Sequence, residues 1–410
     1  MSVTHGAILH KRFTALLWTV FICSLPIQTV ASAEINEVKP IGEIVVYNDL
    51  ALSRDNETVT IALASLTAID SDDFSSLAIK DADNNSNVPY QLIDSDQDGA
   101  TDSVIFQAQI SANSSNRYQL YLTKNKAGKL ADNIVSYSRF VPERNDDYAW
   151  ENDKIAFRMF GPKARKLAET GKKGGLISSG IDCWLKRVEY PILNKWYQKY
   201  VDGRGDYHQD TGEGLDNYHV GSSLGCGGSG SLHQGNLLTA GNFNSHKTTD
   251  IGPIRTRFEL DYLPWQTGRA KVTETKIISL DKGSNLTRYE LIFDQDVDIV
   301  AGLSLDKHSI DLTTNEEIGV FSSWRQQQDS QLGLGIVADP KYVEGWQQTK
   351  VKGKGGKHLF VQLKSINKRI VYYAGFGWQK SQQFSSKDEW LQYLREFALK
   401  LKTPLRIEVQ

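Results

Sequence analysis

The sequence predicts an all-β chain: a large antiparallel β-sandwich, a small β module before it and one helix at the C-terminal end. Three observations carry this. Short β-branched or alternating runs recur along most of the 410 residues. Clusters of Asn, Asp, Ser and Gly punctuate them, as turns between strands require. Only one segment, near the end, shows a sustained helical period.

The first strands are Ile44–Tyr47, Val59–Leu63 and Tyr118–Leu122, which place a small β module at residues 34–123. The polar stretch Lys124–Asn133 reads as a linker, taken to residue 135. The main domain, 136–410, opens with alternation at Ile155–Phe160 and continues through Ile254–Leu260, Lys271–Ile278 and Arg288–Phe293. Ile318–Trp324, Gly333–Val337, Leu359–Leu363 and Ile370–Phe376 extend the set. Many strands of similar length with little helix favour a sandwich. Over 387–402, Ser386 with Glu389 forms a capping box. Trp390, Leu391, Leu394, Phe397, Ala398 and Leu401 then share one face, and Pro404 stops the helix.

Ahead of the β module, His10-Lys11-Arg12 precedes an apolar run, Phe13–Leu25, and the small residues Ala31-Ser32-Ala33. This is the pattern of a cleaved signal peptide, residues 1–33, and implies a periplasmic or secreted protein. The run is short for a membrane anchor and is broken by Pro26, and no later stretch is apolar enough to span a bilayer. Lys+Arg 47 against Asp+Glu 49 gives a net charge of -2, which argues against a general nucleic-acid binder. After signal removal two cysteines remain, Cys183 and Cys226, either as a disulfide or as buried thiols.

Two groups of residues are candidates for chemistry. Asp94, Asp96, Asp98 and Asp102 resemble the first part of a calcium loop, with Gly99 at the turn. Ile105 stands where the closing Glu of such a loop belongs, so the alternatives are a structural calcium site and an acidic turn. The richer group runs from Asp182 to His246. It is polar and aromatic, without an apolar period, and reads as a long functional loop. Its glycine run, Gly225–Gly230, lacks the order of a phosphate loop and suits close approach of backbone to a ligand or another strand. His208 stands among Tyr207, Asp210, Glu213 and Asp216; His219, His233 and His246 are weaker candidates.

Trp150–Asp153 leading into Ala156–Pro162, Gly180–Trp184 with Lys186-Arg187, Lys195-Trp196-Tyr197, and Tyr207-His208 through Gly212–Asp216 to Tyr218 and Val220-Gly221 resemble a bacterial family known as domain of unknown function 4861. The Asp94–Asp102 turn matches too. Thr211 stands where many relatives carry His, so a His pair with His208 is not required by the pattern. The resemblance implies a galactose-mutarotase-like sandwich and work on acidic polysaccharides such as ulvan. The implied reaction is dehydration of a non-reducing-end uronate to a 4,5-unsaturated product, with an acidic oligosaccharide as partner and no cofactor required.

Such an elimination needs a cation at the uronate carboxylate, a base at C5 and an acid at the leaving oxygen. By residue type, Arg187 is the first choice for the clamp and Arg158 the second. His208 is the base, and Tyr218 or Tyr207 the acid. Trp184, Trp196 and Tyr197 are expected to stack on sugar rings, and Glu213 and Asp216 to orient His208 or hold ring hydroxyls. Asp182, Lys195 and Asp210 complete the expected substrate contacts. Two other functions fit the same residues: a glycoside hydrolase using Glu213 and Asp216, and a non-catalytic carbohydrate-binding protein.

Overall fold

Alternation along Arg255–Gln266 sends Thr256, Phe258, Leu260 and Tyr262 to one face, where all four are buried. The same period on neighbouring strands builds an eight-stranded sheet. Its order is Ser245–Asp250, Arg255–Gln266, Lys271–Asp281, Leu286–Phe293, Arg369–Trp378, Ser330–Ala338, Val320–Gln327 and Ile310–Asn315. A five-stranded sheet runs Asn236–Leu238, Cys226–His233, Asp298–Leu305, Lys357–Lys364, Val343–Lys350. A second five-stranded sheet runs Gly214–Leu215, Asp182–Lys186, Ala156–Met159, Asp147–Glu151, Tyr137–Val141. All three contribute to one core, in which Trp150, Phe157, Leu260, Leu303, Leu334 and Phe376 meet. This computed structural model describes residues 39–67, 69, 71–123, 134–305, 310–352 and 355–410. The expected signal peptide and most of the expected linker lie outside the described residues.

Residues 42–122 form two further sheets around a separate core that includes Ile44, Val59, Phe106 and Leu120. The last strand, Arg406–Val409, returns to pair antiparallel with Gly42–Asn48 and so completes the N-terminal sheet. Buried Arg54 holds this return in place. Its Nε donates to Asn48 Oδ1 at 2.9 Å and its guanidinium also donates to the Thr403 carbonyl. Lys39–Gln410 is one compact unit.

Among the described residues three α-helices accompany the sheets: α1 (Pro162–Glu169), α2 (Leu193–Val201) and α3 (Lys387–Lys402). The predicted α3 is present, with Ser386 Oγ accepting from Glu389 N–H at 3.3 Å. The Glu389 carboxylate reaches Ser385 rather than the Ser386 backbone, which modifies the expected box. Trp390 and Leu394 lie on Gly333 and Gly335. A Cβ at those glycines would come within 2.5 Å of Trp390 and 2.8 Å of Leu394, so the glycines admit the helix. The stretch expected to be one long loop instead contains the strand Asp182–Lys186, helix α2 and the strand Cys226–His233. The glycine run is part of that last strand. Gly227 packs against Ala374 and Gly228 against the Ser179 carbonyl, which is close approach to protein backbone and side chain.

Candidate functional site

The site residues are brought together by strand pairing. Ala156–Met159 and Asp182–Lys186 run antiparallel with Arg158 opposite Asp182. Arg158 is buried, and its Nε and one terminal nitrogen donate to Asp182 Oδ2 at 3.0 and 2.5 Å. That nitrogen also reaches Asp216 Oδ2 at 3.1 Å, and the other donates to the Tyr207 hydroxyl at 3.1 Å. Asp147 stands 3.8 Å away. Three buried carboxyls thus surround one guanidinium. Burial, and for Asp182 the neighbouring Asp216, outweigh Arg158 and push Asp147 and Asp182 up to about 7 and Asp216 up to about 6. Arg158 itself loses hydration, but the surrounding carboxylates hold it charged.

The aromatic residues form the wall of this network. Trp184 stacks on Trp196 at 5.4 Å and on Tyr207 at 4.9 Å, and the Arg158 guanidinium lies 5.3 Å over the Trp184 ring. Trp184, Trp196, Tyr197 and Tyr207 are all at most 3% exposed. No ring face is left for a sugar, so the expected stacking roles of Trp184, Trp196 and Tyr197 are replaced by a packing role. Arg158 and Tyr207, expected as second-choice clamp and as acid, are likewise buried within this network. Asp182 and Asp216 serve the network inside.

His208 sits where this network meets solvent. Its side chain is 43% exposed, and Nδ1 lies 2.6 Å from the Asp216 carbonyl. A carbonyl oxygen only accepts, so Nδ1 carries the proton and neutral His208 presents the Nε2 lone pair outward. The nearest carboxylate to Nε2 is Asp206, at 4.0 Å. Asp216 N–H donates to the Tyr207 carbonyl at 2.8 Å, so the ring position is tied to the buried Arg158 cluster through Asp216.

Around His208 in sequence lie charged residues of the surface. Arg187 pairs with Asp210 at 3.1 Å while its side chain stays 34% exposed. Asp210 also accepts the Gly212 and Gly214 N–H groups, so it shapes the turn. Glu213 is buried beneath α2. Burial disfavours its charge, yet hydrogen bonds from Lys195 at 2.5 Å, Tyr190 at 2.7 Å and Trp196 outweigh this and hold it at about 2. Lys195 remains half exposed, and Lys199 approaches the same carboxylate at 3.6 Å. Exposed Tyr190, just before α2, and exposed Tyr200, in its last turn, were not singled out by the residue pattern.

Helix α2 has no side-chain cap of its own. The Glu151 carboxylate, 41 residues earlier, accepts the Ile192 and Leu193 N–H groups at 2.9–3.0 Å and pairs with buried Lys186 at 2.9 Å. A carboxylate at a helix N-terminus is favoured by the exposed backbone donors. Leu193, Trp196 and Tyr197 face inward at i, i+3 and i+4, leaving Lys195 and Lys199 outward or at the edge.

With this geometry in view, the family pattern described as Domain of unknown function (DUF4861) matches residues 46–407. The chain belongs to the DUF4861 family. A relative from Formosa agariphila, Uncharacterized protein P7, is 41% identical over 369 residues, covering 90% of this chain and 93% of the relative. Among solved structures, a protein in the glycosyl hydrolase family 38 from Enterococcus faecalis is similar with a TM-score of 0.49, 8% identity and 90% of this chain covered. An alpha-mannosidase from Enterococcus faecalis V583 gives 0.44, 8% and 90%. The DUF4861 chain spans about half the length of these two, 47% and 46%.

The remaining expected residues of this DUF4861 chain fall elsewhere. Tyr218 turns into the main core, where its hydroxyl lies 2.6 Å from Ser304 Oγ and Arg325 stands 5.1 Å over its ring. Burial pushes its ionisation well above the usual phenol range, and it does not share the His208 surface. Cys183 and Cys226 are buried free thiols, and Cys226 Sγ lies 3.2 Å from the Gly375 carbonyl. Asp94, Asp96 and Asp102 bring carboxylate oxygens within 4.8 Å of one another. Asp98 instead accepts the Ala100 N–H at 2.7 Å, and Asp102 accepts from Ser95. Among the described residues, no helix is long and apolar enough to cross a membrane.

Proposed function

We propose that this protein is a carbon–oxygen lyase that removes water from the non-reducing-end uronate of acidic, ulvan-type oligosaccharides. The observation that carries the reading is His208: Nδ1 is fixed by the Asp216 carbonyl and the side chain, 43% exposed, turns Nε2 toward the surface 4.0 Å from Asp206. In the proposed step Nε2 takes the C5 proton. The electron pair of the C5–H bond becomes the C4=C5 double bond, the C4–O bond breaks, and the hydroxyl leaves as water on protonation. Arg187 and Lys195, both partly exposed, are the cations for the uronate carboxylate. With Tyr207 and Tyr218 buried and the Tyr190 hydroxyl donated to Glu213, the acid is assigned to the exposed phenol of Tyr200. The chemistry asks for no cofactor. The basic start, apolar run and small residues at positions 1–33 support export of the protein.

The hydrolase reading has less support. It needs one carboxyl that keeps a proton near the substrate. Glu213 is held ionised by Lys195 and Tyr190, and Asp216 is enclosed with Arg158. The test is to incubate the protein with saturated uronate oligosaccharides and follow mass. Loss of one water with new ultraviolet absorbance is expected. Gain of one water with fragmentation would replace the lyase by a hydrolase, and unchanged mass would leave a binding protein.

A further inference from the structure

Apart from the His208 surface, the outer face of the eight-stranded sheet carries a cross-strand row: Ser279 opposite Arg288, and Arg288 opposite Tyr373. The next row, Tyr289 opposite Tyr372, points to the core, as alternation requires. Over the outer row lies α3, with Tyr393, Phe397 and Lys400 on one stripe at i, i+4 and i+7. The N-terminal module closes the third side with Asn56 and Glu57, at a register shift in the strand Arg54–Ala62. Together these enclose a cleft of about 300 Å³, within the size range of small-ligand sites and at a junction of modules, where such sites concentrate.

One wall is aromatic: Tyr373 meets Phe397 edge-on at 5.0 Å, and Phe397 lies 6.1 Å from Tyr393. The charged groups are unevenly paired. Arg255 and Asp281 satisfy each other bidentately at 2.6 and 2.7 Å. Arg288 donates to Glu290 at 2.7 Å, but Arg369 shares that carboxylate. The carboxylate paired with Lys400 is Glu57, at 3.8 Å. Among the described residues Lys282, which also lines the cleft, has no carboxylate within 4.0 Å. Asp55, exposed at the rim, is a third acid of the lining beside Glu57 and Asp281. An aromatic wall beside the cations Lys282 and Lys400 suits a hydroxylated ring with one negative group.

We propose that this cleft is a second carbohydrate site, taking one sugar ring that carries a single anionic group, with the ring against Tyr373 and Phe397 and the anion against Lys282, Arg288 and Lys400. The anion is a carboxylate or a sulfate ester. The test is calorimetric titration of the full chain, in an Arg187→Glu background to silence the His208 surface. The probes are D-glucuronate, D-galactose 6-sulfate and neutral D-galactose. Saturable binding of one anionic sugar is expected, at least about tenfold tighter than D-galactose and weakening with salt. Adding Lys282→Gln and Lys400→Gln is expected to weaken it by about tenfold or more, with thermal unfolding unchanged. Which anionic sugar binds tells carboxylate from sulfate. Failure of both to bind, equal binding of D-galactose, or binding indifferent to the lysine changes would overturn the proposal.

Discussion

At the scale of single residues, the buried Arg158 cluster governs how the site responds to pH. Asp147 and Asp182, raised to about 7, bind protons more tightly folded than unfolded, where carboxyls titrate near 3.8. Their contribution to stability is therefore full below the unfolded value and is lost as pH rises through about 7. Urea denaturation at several pH values is expected to show stability falling across this window. Asp147→Asn, which keeps the shape and removes one titrating group, is expected to flatten the fall; an unchanged profile would remove Asp147 from the cause. The residue types of this region were legible in the sequence, but their depth was not. Trp184, Trp196 and Tyr197 look like sugar platforms in a polar stretch. They are inside because α2 folds them against the strand Asp182–Lys186, with Arg158 beneath.

At the scale of elements, α2 depends on a partner that no local pattern reveals. Its cap is Glu151, which also neutralises Lys186, with both side chains 0% exposed. Glu151→Ala strands a buried ammonium and frees two helix donors. Breaking such a pair costs about 3–5 kcal/mol. Chemical denaturation is expected to show a loss of that order, and a change under about 1 kcal/mol would mean that Glu151 is dispensable. Helix α3 is the opposite case. Ser386, the apolar stripe and Pro404 announced it, because its signals are local. What the sequence did not show is that Gly333 and Gly335, on a strand more than 50 residues away, make its seat. Gly335→Val sets methyl groups against Leu394 and Trp390 and is expected to lower stability by about 1–3 kcal/mol, read as a lowered unfolding midpoint.

At the scale of the whole molecule, the strand-rich architecture was readable from alternation alone. Its closure was not, since among the described residues the last strand, Arg406–Val409, pairs with the first, Gly42–Asn48. That pairing ties the C-terminal end to the N-terminal core, where Leu405 and Ile407 pack. Deleting residues 405–410 exposes an edge of the strand Gly42–Asn48 and is expected to make residues 42–122 more sensitive to proteolysis. Equal resistance would mean that the return strand is not needed to hold that module.

The proposed elimination depends on His208 acting as a base at the open edge of a closed ionic cluster. The most direct measurement is the rate of unsaturated-product formation by the wild-type protein and by His208→Ala, each confirmed as folded by circular dichroism. Loss of general-base catalysis predicts a fall of about 10²-fold or more in the variant. Product formed by His208→Ala at the wild-type rate would contradict the account.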